Sequence, residues 1–289
     1  MRNWKPDRDL SLTNKEVALH EELHEQRSKI EVNGCQLLQN PRLKLIPIAE
    51  RHMGRTISGR VLEIGCGTGY ASAWIAQNRR VERVYALEVT RAAVEKLIPK
   101  TLDAIGVEDG KVLPTLGSFN CIPHKDFFDF VVSFGAIHHS ADLLSTMAAC
   151  YESLKRGGLM ICQEPVSSDS VSNSDFIEDY DQYESFHGIE EIQKKERHDH
   201  FFRGCEYKVA AYFSGFDIVL FENCEKQITR PHSIKNTLAD PIRALLRRSR
   251  VPKKVQPHLF IVKKPERNPG YIPHLWGALM GKASHKVFR

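Results

Sequence analysis

The stretch "VLEIGCGTGYASAWIA" (Val61–Ala76) sets glycines at alternate positions, Gly65, Gly67 and Gly69, between an apolar run and a helix-like run. "VLEI" reads as a buried strand and "YASAWIA" as the helix that follows it. Glycines in the loop between them allow a tight turn and let a ligand touch the main chain with no Cβ in the way. The usual phosphate-binding patterns do not fit. A dinucleotide fingerprint G-x-G-x-x-G puts glycine or alanine at its third position, where this chain has Tyr70, and no lysine completes a G-x-x-x-x-G-K-[ST] loop. The ligand over this strand therefore differs from a pyrophosphate or triphosphate.

Outward from the loop, "RVYALEV", "KVLPTLG", "FDFVVSFG" and "GLMICQEP" are short apolar runs, mostly separated by helix-length segments such as Ala92 to Ile105 and Ala141 to Leu154. This alternation predicts an α/β fold: a Rossmann-like open, mostly parallel sheet with helices on both faces. "FDIVLFE" and "HLFIVKK" supply two later strands, seven in all, with a helix around Glu206–Phe213 before them. Residues from about Leu12 to Arg51 read as helical, interrupted near Asn33-Gly34 and at Pro41. After Pro165 the pattern breaks into a polar, then acidic and aromatic stretch that reads as a lid-like insertion after the fifth strand. The organisation expected is an N-terminal helical cap (1–55), a ligand-binding core (56–166), a lid or substrate insertion (167–205), completion of the sheet with a basic helical segment (206–265) and a basic tail (266–289).

A chain of 289 residues can bury one large core with additions. Its polar start and the lack of an apolar run near the roughly 20 residues needed to span a bilayer suggest a cytoplasmic protein, peripheral at the membrane at most. Seven scattered cysteines with no C-x-x-C pair suit reduced thiols better than disulfides or zinc. Charge is uneven: Lys226 to Arg289 hold 15 Lys and Arg against two acids, while the preceding residues hold 26 against 34. Such asymmetry concerns partners rather than fold.

Two carboxylates flank the glycine turn. Glu63 lies two residues before Gly65, and Glu88 closes the second strand in "YALEV". A carboxylate at the second position can accept from both hydroxyls of a ribose, and one near the turn can face an ammonium. A ligand with an adenosine end and an amino-acid end would use both. At this point the chain resembles the class I S-adenosylmethionine-dependent methyltransferases. "VLEIGCGTGY" has that family's strand, acid and G-x-G-x-G form, and "LE" falls at the end of the second strand. "GSFNCIP" lies at its adenine-contacting turn, and "FDFVVSFGAIHHSAD" and "ESLKRGGLMICQEP" resemble its fourth strand and the approach to its fifth. The resemblance implies S-adenosyl-L-methionine as cofactor. By it Gly65, Cys66, Gly67 and Gly69 line the methionine side with Glu63 in support. Glu88, followed by Val89, binds the ribose, Ser118 and Phe119 sit near the adenine, and Phe134 and Gly135 approach from the fourth strand. Many members carry an acid at the Ser118 position, so a serine oxygen or main chain would make that contact here.

Methyl transfer is a direct displacement, which needs a base only if the acceptor loses a proton. His138 and His139, just past the fourth strand, are candidates, with packing or a cofactor-side role as the alternative. Glu164, read as the end of the fifth strand, is either a third candidate or a structural hydrogen bonder. "ERHDH" lacks a matching cluster elsewhere, so no metal is expected. The aromatic insertion, with Phe176, Tyr180, Tyr183, Phe186, Phe201 and Phe202, suits an enclosed acceptor, hence a small molecule or glycan methylated on oxygen. "ADPIRALLRRSRVPKK" begins like a capped helix with Asp240 as cap and Pro241 in its first turn. Its basic face is either simply solvated or meets an anionic membrane surface, a phosphate-bearing acceptor or nucleic acid. The alternatives are an RNA or protein methyltransferase using that region, and a non-catalytic cofactor-binding partner subunit.

Overall fold

A computed structural model describes residues 2–4, 14–170, 201–228 and 255–266. The insertion between its two ends, the basic segment around Asp240 and the tail beyond residue 266 lie outside the described residues.

The apolar runs form the strands. In chain order these are β1 (Arg2–Trp4), β2 (Gly59–Ile64), β3 (Val81–Glu88), β4 (Val112–Gly117), β5 (Phe128–Phe134), β6 (Leu154–Ser167), β7 (Asp217–Asn223) and β8 (Val255–Lys263). They join in one open sheet of order β1-β4-β3-β2-β5-β6-β8-β7. All neighbours pair in parallel except β8, which runs antiparallel to both β6 and β7. The seven expected strands are present, and β1 adds a short eighth at the edge. The polar start of the chain hid it. Trp4 is buried there and stacks on Tyr85, with ring centroids 6.0 Å apart.

Helices cover both faces, so the central strands bury residues on each side. On one face Val61, Val84, Phe130 and Ile161 pack in a core with α3 (Leu45–Met53), α4 (Tyr70–Ala76) and α5 (Ile98–Ile105). On the other, Leu62, Tyr85, Val131 and Met160 pack with α6 (Leu143–Ser153) and α7 (Gly204–Phe213). Successive residues of β2 thus point to opposite cores, as the two-residue period of a strand requires. Asp142 caps α6 by accepting from the Ser145 amide at 2.9 Å.

The helix expected over Ala92–Ile105 forms with a fault in it. Pro99 has no N–H to give the preceding turn. Ala93–Leu97 therefore adopts a π turn, in which the Ile98 amide reaches back to the Ala93 carbonyl. The N-terminal cap is α1 (Asn14–Ser28), α2 (Gly34–Leu38), a 3-10 turn at Pro41–Lys44 and α3, with the interruptions at Asn33-Gly34 and Pro41. A last short helix, α8, spans Glu225–Ile228.

Strand order reverses between β2 and β5, both of which end at the same side of the sheet. Ligands of open parallel sheets bind beyond the carboxyl ends of the strands at such a point. Here Gly65 follows β2 and Gly135 follows β5. No helix among the described residues is long and apolar enough to cross a membrane.

Candidate functional site

Gly65 and Gly67 show why the loop after β2 is rich in glycine. Both are left-handed, at φ 61° and 53°. A Cβ on Gly65 would stand 2.4 Å from the Ala136 Cβ, so this residue lets the β5 loop approach. A Cβ on Gly67 would meet nothing within 4 Å, which leaves bare main chain facing open space. That space is a cavity of about 330 Å³ beyond the ends of β2 and β5, at the low end of the usual size of small-ligand pockets.

Glu88, the last residue of β3, faces this cavity and is almost fully buried. Its Oε2 accepts from the Gly67 amide at 2.9 Å and its Oε1 from the Val89 amide at 2.8 Å. An ionised carboxylate has about four acceptor positions, so these bonds orient it and leave two for a ligand. Of the residues expected from sequence, Gly65, Cys66, Gly67, Glu88 and Val89 line the cavity from β2 and β3. Phe119, Phe134, Gly135, His138 and His139 line it from the next two strand ends.

Four others stand behind the lining. Gly69 is the N-cap of α4 at φ 78°. Ser118 is buried, and its Oγ accepts from the Asn120 amide at 3.4 Å. Glu63 is buried beneath the loop and accepts from the Ser72 hydroxyl of α4. Burial raises the Glu63 pKa to about 7, the Glu88 charge adds to this, and the Ser72 bonds oppose it. Glu164 lies inside β6, which continues to Ser167, rather than at its end.

Glu164 is fully buried under the β5 loop. Its Oε1 accepts from the Ser133 hydroxyl at 2.8 Å and the amides of Ala136 and Ile137 at 3.0 and 3.2 Å. Its Oε2 meets His138 Nδ1 at 2.7 Å and the His138 amide at 3.4 Å. Burial alone would raise its pKa, but His138 and the surrounding donors outweigh that and hold it below the ordinary value.

The cap supplies residues that sequence reading missed. His20, Leu23, His24 and Arg27 of α1 line the cavity, as do Arg42, Thr68 and Tyr70. The helical spacing of His20, His24 and Arg27 was a visible signal for one shared face. Polar contacts hold α1 in place. Glu21 accepts from the amides of Arg91 and Ala92, both at 2.7 Å, and Glu25 pairs with Lys96 at 2.7 Å. His24 Nδ1 lies 2.7 Å from the Thr90 hydroxyl. Burial lowers the His24 pKa against the opposing charge of Glu88. Arg42 donates to the Phe134 carbonyl at 3.3 Å.

Two polar groups of the lining differ in their surroundings. Thr68 Oγ1 is buried with no hydrogen bond among the described residues, an arrangement that costs free energy unless a ligand or water completes it, whereas the Tyr70 hydroxyl lies beside the Arg42 guanidinium. The donor set suits a nucleoside carrying an amino acid. Glu88 can take two sugar hydroxyls, Phe119 offers a flat apolar ring, Gly67 allows close approach, and Arg42 is a cation for a carboxylate. No group of His, Cys, Asp and Glu among the described residues has the arrangement of a metal site; His198 and His200 of "ERHDH" lie outside them.

A family model described as a methyltransferase domain matches residues 27–220. A curated relative, trans-aconitate 2-methyltransferase from Deinococcus radiodurans, is 28% identical over 39% of this chain. That match spans only 41% of the relative's length. A crystal structure from Galdieria sulphuraria, described as a sarcosine dimethylglycine methyltransferase, superposes with a TM-score of 0.57 at 18% identity. It covers 78% of this chain and 86% of that one. Geranyl diphosphate C-methyltransferase from Streptomyces coelicolor A3(2) was solved with Mg2+, geranyl diphosphate and S-adenosyl-L-homocysteine. It gives a TM-score of 0.53 at 13% identity, over 76% of this chain and 78% of that one. These two likenesses concern the fold.

Proposed function

The chain belongs to the methyltransferase-domain family, and we propose that it moves a methyl group from S-adenosyl-L-methionine to a small-molecule or glycan acceptor, on oxygen. The observation that carries this reading is Glu88: a carboxylate at the end of β3, oriented by the Gly67 and Val89 amides and facing the same cavity as the bare Gly67 main chain. In this reading Glu88 accepts from the two ribose hydroxyls. Phe119 packs on the adenine beside Ser118. Arg42 faces the α-carboxylate of the methionine part, and Glu63 lies beneath its ammonium end. When bound, the cofactor supplies an electrophilic methyl group on a sulfonium.

Support for a small acceptor comes from the covering of the cavity by α1 and from the three relatives, each named for a small molecule: trans-aconitate, sarcosine and dimethylglycine, and geranyl diphosphate. The membrane, phosphate and nucleic-acid partners considered for the basic C-terminal region concern mostly residues outside the described ones, which here are 226–228 and 255–266. They stay secondary to the small-molecule reading.

Isothermal calorimetry with S-adenosylhomocysteine tests the assignment. Wild-type protein binds it, and Glu88→Ala binds it at least tenfold more weakly. Absence of binding to the wild type, or equal binding by the variant, rejects the cofactor site as drawn.

A further inference from the structure

Two carboxylates lie buried beneath the loops of this cavity, and their surroundings differ. Glu164 collects the Ser133 hydroxyl, the amides of Ala136 and Ile137 and the ring of His138. Glu63, 2% exposed on β2, has only the hydroxyl and the backbone of Ser72 as donors among the described residues. Its partners on the neighbouring strands are Ala86 and Val132, both fully buried and apolar. A buried carboxylate matched neither by a cation nor by enough donors takes a proton in preference to holding its charge.

The titratable groups around Glu63 are acids. Glu88 acts on it from β3 and strengthens its hold on a proton. The Cys66 thiol of the glycine loop is pushed up by burial and by both carboxylates, so it stays neutral. The hydroxyl of Tyr70, in the first turn of α4, is also raised by burial. Cations stand one group further out: Arg42 beside Tyr70, and His24, held below its ordinary pKa by burial, in the field of Glu88. Burial carries the Glu63 pKa to about 7, so at neutral pH the group stands between its two forms.

We propose that Glu63 selects a ligand with a cationic amino group: it holds a proton in the free protein and releases it to solvent when an ammonium settles above the glycine loop. The proposal rests on the cofactor reading and deepens it, because it concerns how an amino-acid end is told apart from a bare nucleoside. The carboxyl O–H is the one bond that breaks, and its proton goes to water or buffer. The ammonium supplies the positive charge that the surroundings of Glu63 lack. A nearby opposite charge lowers a carboxyl pKa by about 1–3, which at neutral pH takes this group to its ionised form. A carboxyl at the ordinary pKa would be ionised with or without the ligand, and binding would move no proton.

The test is calorimetry of full-length protein with S-adenosylhomocysteine in phosphate, HEPES and Tris, whose different ionisation enthalpies reveal the protons released. With a pKa that starts at about 7 and falls by about two, release is about half a proton at pH 7 and about a tenth of one at pH 8. Affinity rises about tenfold from pH 6 to pH 8. 5′-Methylthioadenosine, which lacks the amino acid, and Glu63→Gln with S-adenosylhomocysteine each release less than about a tenth of a proton at pH 7. Binding by the wild type with no proton released overturns the proposal and leaves the cofactor site standing. Equal release with methylthioadenosine, or by Glu63→Gln, also overturns it, the latter by assigning the proton to another group such as His24. If methylthioadenosine binds too weakly or Glu63→Gln does not fold, infrared difference spectra of the wild type decide. The carbonyl band of a protonated carboxyl vanishes on adding S-adenosylhomocysteine, and its persistence overturns the proposal. Failure of the wild type to bind S-adenosylhomocysteine at all rejects the cofactor site, and this proposal with it.

Discussion

The amide of Gly67 donates to Glu88 Oε2 at 2.9 Å, tying the loop after β2 to the last residue of β3 across 21 positions of sequence. The bond means that the cavity floor and the carboxylate facing it are placed by one another. Glu88→Ala removes an acceptor from the buried Val89 amide and the half-buried Gly67 amide as well as from a ligand. We expect it to lower unfolding free energy by about 1.5–3 kcal/mol in urea titrations, the scale of one hydrogen bond to a charged group, because water can replace the carboxylate at the half-buried Gly67 amide. Binding of S-adenosylhomocysteine should fall by roughly ten- to a hundredfold in calorimetry, equivalent to about 1.4–2.7 kcal/mol.

Gly65 and Gly67 should respond differently to the same change. Gly65→Ala combines a left-handed backbone with a Cβ 2.4 Å from that of Ala136, so about 2–4 kcal/mol of stability should be lost. Gly67→Ala meets no neighbour and should cost only about 1–2 kcal/mol, from its positive φ. Its main effect should be on ligand affinity. Thermal melts and calorimetry on the two variants check the contrast, and equal stability losses would contradict it.

Arg42 and Glu88 should discriminate between two ends of one ligand. Arg42→Ala is expected to weaken S-adenosylhomocysteine binding about tenfold, on the scale of one lost charge-assisted contact. Binding of methylthioadenosine, which has no carboxylate, should change less than about twofold. Equal losses for both compounds in competition calorimetry would place Arg42 elsewhere than at the carboxylate.

Glu63 makes stability depend on pH. Its pKa is raised from the ordinary 4.5 to about 7 by burial, so the native state binds this proton more tightly than the unfolded chain. Stability from this group is therefore full below about pH 4.5, falls as pH rises to about 7, and then levels off. The ceiling on the change is roughly 3 kcal/mol, from about 1.4 kcal/mol per pH unit. Urea unfolding of wild type and Glu63→Gln at pH 5, 6, 7 and 8 checks this. The variant should lack the descending slope, and an identical slope in both would assign it to other groups.

The glycine stretch and the alternating apolar runs were enough to foresee the open sheet, because strand and helix periods are properties of neighbouring residues. Glu88 was legible for the same reason: a strand-end acid one unit after a glycine turn has its position set by the repeating strand–helix plan. β1 was not legible. Three residues pair with β4 by main-chain bonds, which any residue type can make, and the only side-chain hint was Trp4.

The sequence alone determined the sheet, the turn over β2 and the acid at the end of β3, since each follows from local pattern. Only the tertiary structure decided what stands around them. It brought His20, His24 and Arg27 of α1 over the cavity through contacts of Glu21 and Glu25 with residues some 70 positions away. It also set Glu164 under His138, 26 positions apart, through the register of two parallel strands. Packing between elements fixes such pairs, and the periodicity of either partner by itself carries no record of the other.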